Sequence, residues 1–92
     1  MIVRIMGEGQ YRLAEDVIER VNTLDNAVVA AVEGEDEDGF HAAFEEMLDV
    51  IRREGEAVAD DDLEPSDIIV PPAYTSMLEA AEDFSGDGLI PD

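Results

Sequence analysis

The chain has no cysteine, no lysine and no tryptophan, a single histidine, and only five basic residues against 25 acidic ones. The absence of cysteine excludes disulfides, thiolate metal sites and cysteine nucleophiles together, and leaves the redox compartment open. With His41 alone, a zinc site built on paired histidines would need a second subunit or carboxylates only. The scarcity of positive charge leaves a formal net charge of -20. That excludes unaided binding to nucleic acid and direct binding to anionic membrane, because both would be repelled. Long apolar runs are also missing, and Arg4 and Gly7 interrupt the N-terminal stretch before a signal-peptide core can form. The sequence reads as soluble and cytoplasmic.

What is present is enough to fold. Hydrophobic residues make up 46% of 92 residues, an ordinary globular share that separates the chain from disordered proteins of similar charge. At this length one domain over residues 1–92 is expected, near the small end of what a single core can stabilise. All five cations are arginine (Arg4, Arg12, Arg20, Arg52, Arg53). A cell interior at molar salt accounts for such acidity, since a Debye length near 3 Å stops a carboxylate carpet from repelling itself. Mimicry of nucleic acid, or a site for several cations, would also call for many carboxylates. The acids are dispersed, with runs at 35–38 and 60–62 but also single acids on every expected helix. Dispersal favours adaptation to salt, and a halophilic archaeon as source.

The first residues, MIVRIMGEGQYRL, read as two short strands around a glycine turn. Alternation puts Val3 and Ile5 on one face and Ile2, Arg4 and Met6 on the other. Both faces are partly apolar, so helices are expected to cover at least one. From Ala14 to about Val32, the positions Val17, Ile18, Val21, Leu24, Val28 and Val32 form one helical stripe, with Glu15 and Asp16 in the first turn. A second helix is expected from about Glu37 to Glu54, with Phe40, Phe44, Met47, Leu48 and Ile51 inward. Arg52 and Arg53 close it and Gly55 follows as the stop. Two such helices joined by a short acidic turn should pack as an antiparallel hairpin.

After Gly55 the sequence reads as an acidic loop through 60–62 and Pro65. Asp67, Ile68, Ile69 and Val70 then form an apolar run that Pro71 and Pro72 halt, which fits a brief strand or an extended plug over the helices. A last helix should start near Ser76, which has capping-box spacing to Glu79, and run to about Phe84. The closing GLIP at 88–91 is apolar enough to pack back on the domain. The fold class expected is α+β: an N-terminal β-hairpin or ribbon, an antiparallel helical hairpin, and a short C-terminal strand and helix.

Few constellations could carry chemistry. Residues 34–45 match an EF-hand calcium loop through Asp36, Asp38, Gly39 and Glu45, but Gly34 stands where the leading carboxylate belongs and His41 where an apolar residue packs. Asp36, Asp38 and Glu45 are therefore the metal candidates of an alternative reading as a cation-binding module. The simpler reading is an acidic interhelical turn. Carboxylate pairs such as Glu45 with Asp49 and Glu15 with Glu19 are inevitable among so many acids. Ser66, Ser76 and Ser85 have no histidine at suggestive spacing. No catalytic residue, resident cofactor or metal is expected, and the chain does not read as an enzyme.

Laid out in this order, the residues carry a resemblance. MIVRIMGEGQY at 1–11, LDN at 24–26 within the first helix, PSDIIVPP at 65–72 and GLIPD at 88–92 together resemble the PspA-associated domain family, PspAA, found beside phage-shock-type PspA proteins in archaea and actinobacteria. These segments span the chain. The resemblance implies a non-enzymatic accessory or regulatory module of an envelope-stress system, with PspA, a coiled-coil protein that remodels membranes, as partner. The family brings no catalytic residues. For contact with a protein partner the candidates are the ribbon edge around residues 2–6, with Ile2, Arg4 and Met6, and the segment from Ile68 to Val70 with its flanking prolines. The same residues could simply be core, and pairing through the ribbon edge would give a homodimer.

Overall fold

Four strands and three helices follow one another in the computed structural model, which describes residues 1–59 and 65–81. The acidic run at 60–62, the expected continuation of the last helix to Phe84, its stop at 85–88 and the closing segment 88–91 lie outside the described residues. Strands β1 (Ile2–Ile5) and β2 (Gly9–Arg12) pair antiparallel, with Val3 opposite Tyr11 and Ile5 opposite Gly9. The turn between them needs glycine: Gly7 and Gly9 have φ of 84° and 140°, values a β-carbon strongly disfavours.

Helix α1 (Glu15–Glu33) carries Glu15 and Asp16 in its first turn, where the free N–H groups favour negative charge. Helix α2 (Glu37–Glu54) starts at Asp36, whose side chain accepts from the Gly39 N–H at 3.0 Å, and ends with Arg52 and Arg53 in its last turn. The α2 boundaries are those expected from the sequence. Between the helices Glu35 takes a left-handed φ of 55°. The Arg20 guanidinium pairs with the Glu54 carboxylate across the hairpin, tying α1 to the end of α2.

Gly55 ends α2 by a different route from the left-handed glycine stop. Its backbone is extended, with φ -77° and ψ 154°. A β-carbon there would overlap the Ile51 carbonyl and lie 2.9 Å from Leu13 Cδ2 and 3.1 Å from Tyr11 Cβ. Glycine is required because the chain leaves the helix pressed against the end of β2.

Directly after this passage comes β3 (Glu56–Val58), antiparallel to β2, where the sequence reads as loop. Three residues with two apolar side chains carry no local strand signal; the end of α2 delivers them to the open edge of β2. Strand β4 (Ile68–Val70) resolves the choice between strand and plug: it pairs parallel to β1, Val3 opposite Ile68 and Ile5 opposite Val70. The sheet order is β3-β2-β1-β4, so β1 is interior. Helix α3 (Met77–Ala80) follows with Ser76 as its cap, the hydroxyl accepting from the Glu79 N–H at 3.3 Å and donating to the Glu79 carboxylate at 3.1 Å.

The helical hairpin covers one face of the sheet. Val3, Ile5 and Val70 join Leu13, Val17, Val21, Val28, Phe40, Phe44, Met47, Leu48 and Ile51 in one buried cluster. Phe40 and Phe44 stack at 5.4 Å. Burying each large side chain is worth about 1.5–3 kcal/mol, so the hairpin and sheet stand or fall together. The expected α1 stripe is correct in phase, with Ile18, Leu24 and Val32 at its half-buried margin. One position departs from it: Asp25, of the LDN segment, is fully buried and has a partner within the protein.

Candidate partner-binding surface

The residues expected to meet a partner divide sharply. Because β1 has β2 on one side and β4 on the other, the ribbon around residues 2–6 has no free edge on β1. Ile2 is buried, Val70 is 2% exposed and belongs to the core, and Ile68 packs half-buried against it. These three residues are packing residues. Arg4 and Met6 point away from the helices and are exposed, Met6 at 47%.

The PSDIIVPP segment supplies the anchoring. Asp67 and Ile2 exchange two hydrogen bonds, the Ile2 N–H donating to the Asp67 carboxylate at 2.8 Å and the Asp67 N–H to the Ile2 carbonyl at 2.8 Å. Ser66 accepts from the Gln10 amide at 2.7 Å. At the other end of β4 the Met6 N–H donates to the Val70 carbonyl at 3.0 Å. Both ends of a three-residue strand are thus fastened to β1. Strand alternation then turns Ile69 outward, and it is 58% exposed.

An open groove of about 460 Å³ forms beside this strand. Met6, Ile69, Pro71 and Pro72 line it together with Tyr74 and Glu79. Both prolines follow β4 in trans, and the Thr75 N–H closes a turn onto the Pro72 carbonyl at 3.0 Å, which sets Tyr74 outward. Tyr74 is 86% exposed, and Leu78, in the first turn of α3, is 84% exposed. Large side chains this open, with Met6, Ile69 and Tyr74 lining one groove, are what a contact surface presents. The candidate segment Ile68–Val70 with its flanking prolines includes Ile69 without singling it out, whereas Tyr74 and Leu78 were missed. The signal available was the phase of the Ile68, Ile69, Val70 run, whose middle residue must face opposite to its neighbours.

Charge around the groove is unequal. Arg4 lies beside Ile69 in register, is exposed, and forms no ion pair with another described residue. Glu79 lines the groove itself, and Glu45 and Asp49 of α2 line a separate hollow with Ala73. Arg52, next to them, is engaged: it grips Glu8 of the β1–β2 turn with two bonds of 2.7 and 2.5 Å and reaches Asp49 at 3.3 Å. The Arg52 hydrogen bonds hold the Glu8 carboxyl below its ordinary value of 4.5 against a smaller opposing effect of burial. The same contact raises Arg52.

The acidic interhelical residues take other places. Asp36 caps α2, Asp38 sits in its first turn, and Glu45 lies about two turns further along, roughly 10 Å up the axis from Asp38 at 1.5 Å per residue. The stretch that resembles a calcium loop is therefore mostly helix. Among the described residues, no three His, Asp or Glu side chains are grouped to hold a metal ion. His41 is exposed, its ring edge-on to Phe40 at 5.1 Å. No helix among the described residues is long and apolar enough to cross a membrane.

Comparison with protein families gives a match over the full length: the model described as PspA-Associated protein, PspAA, covers residues 1–92. The chain belongs to the PspAA family. No curated protein and no solved structure matches it. The family description associates PspAA proteins with PspA, and the stretches of this PspAA chain that carry its likeness have visible tasks. MIVRIMGEGQY is β1, the glycine turn and most of β2; PSDIIVPP is β4, its two anchors and the lip of the groove.

Proposed function

We propose that this PspAA chain is a non-enzymatic accessory module that binds a PspA-type coiled-coil protein and regulates it in an envelope-stress response, in the cytoplasm of a salt-adapted archaeon. The family match over residues 1–92 is the observation that carries this reading. Three features support it. A net charge of -20 opposes direct contact with anionic lipid, so an effect on membranes has to pass through a protein. Exposed apolar residues around Ile69 and Tyr74 offer that protein a contact surface. Among the described residues no hydroxyl pairs with His41, and an exposed apolar surface supports recognition as the chemistry.

Acidity spread over the whole surface supports the salt-adapted setting, because molar salt screens it and low salt does not. The test is size-exclusion chromatography of the purified chain mixed with the PspA-type protein of the same organism at about 2 M salt. Co-elution in one complex is expected. Separate elution of two well-folded proteins rejects the proposal.

A further inference from the structure

We infer that the groove between Met6, Ile69 and Tyr74 takes an apolar protein segment flanked by lysine or arginine, with that basic flank lying on the Glu79 side. The inference rests on the reading of the chain as a protein-binding module and adds what the partner must present.

The floor is apolar and held in place. Ile69 comes from β4 and Met6 directly follows β1, the two fastened to each other by backbone hydrogen bonds at 2.8 and 3.0 Å, and Pro71 and Pro72 add stiff apolar surface. Rigid apolar ground of this kind loses little entropy when it is covered. Tyr74 stands over it with an exposed ring, the residue type that most often anchors an interface, since it combines large area with few rotatable bonds.

The charge decides among occupants. Glu79 lines the groove, and Glu45 and Asp49 line a separate hollow with Ala73, the residue after Pro72. The neighbouring cation, Arg52, is already engaged by Glu8 and Asp49. A second copy of this chain would bring another -20 to the groove, and an acidic peptide would meet the same repulsion. A segment with Lys or Arg beside its apolar residues is attracted instead. Arg4, on the sheet side of Ile69 and exposed, repels that basic flank and so orients it toward Glu79.

The experiment uses the full chain with the purified PspA-type partner. A photo-reactive phenylalanine analogue replaces Tyr74, or Ala27 on the exposed side of α1 as a control, and cross-linked peptides are sequenced. The expected result is a cross-link from position 74, and not from 27, to an apolar stretch bordered by Lys or Arg. Tyr74→Ala should raise the dissociation constant about tenfold with an unchanged melting temperature, because the side chain is exposed. Glu79→Lys should weaken binding more at about 1 M than at about 3 M salt, as screening predicts. A cross-link from 27 alone, to an acidic stretch, or to a second copy of this chain overturns the inference while co-elution of the two proteins still upholds the proposed function. If the unmodified proteins do not co-elute, the functional reading falls and the inference falls with it.

Discussion

Single residues of this chain answer to neighbours far away in sequence. Gly55 looks like a helix stop and is a packing residue: Leu13 and Tyr11 leave no room for a β-carbon. Gly55→Ala is expected to lower stability by about 2 kcal/mol, the cost of forcing extra volume into a filled site, readable as a lower urea midpoint with unchanged slope. An unaltered midpoint would show that α2 and β2 can part without penalty. Asp25 sits at 0% exposure on a helix whose other inward positions are apolar. Buried polar groups of this kind are kept by their partners. Asp25→Ala should cost about 1–3 kcal/mol by leaving those partners unsatisfied, and Asp25→Asn should cost less because it retains an acceptor. Equal losses in the two variants would contradict a hydrogen-bonding role.

Whole elements were legible to the extent that their stabilising pattern is local. The α2 stripe, its acidic start and its basic end all lie within 18 residues, and the helix forms where that pattern puts it. β3 has no such pattern, because its partner β2 is more than forty residues earlier and reaches it only after the helical hairpin has closed. The Glu8–Arg52 pair is an element-level clamp of the same kind, joining the β1–β2 turn to the last turn of α2. A carboxyl held below 4.5 in the folded state stabilises the fold above that pH, and the contribution disappears as pH falls through the lowered value. Comparison of wild type with Glu8→Gln should therefore show a constant difference near neutral pH that vanishes in acid. The side chains are about a third exposed, so the difference should stay within ~1 kcal/mol. A difference that grows on acidification would refute the clamp.

On the scale of the molecule, charge sets the conditions under which the rest operates. Twenty more acids than bases on 92 residues repel one another wherever salt does not screen them. Far-ultraviolet circular dichroism should report loss of helix below roughly 0.5 M salt, where the Debye length lengthens past the spacing of neighbouring carboxylates. A spectrum that holds steady down to millimolar salt would remove the main argument for a brine-adapted source. The same charge separates the groove from the rest of the surface, since an apolar floor keeps its affinity at salt concentrations that weaken exposed ion pairs.

The amino-acid order alone determined the two long helices, the glycine turn, the acid-dominated surface and the family, because each depends on composition or on spacing within a few turns of chain. Tertiary structure alone decided that β1 lies inside the sheet, that Ile2 and Val70 are buried, and that Met6, Ile69, Tyr74 and Glu79 line one groove. The physical reason is distance along the chain. A helix bonds to itself four residues back, whereas β1 completes its pairing with Asp67, 65 residues later, and only that closure determines which face of the strand the solvent sees.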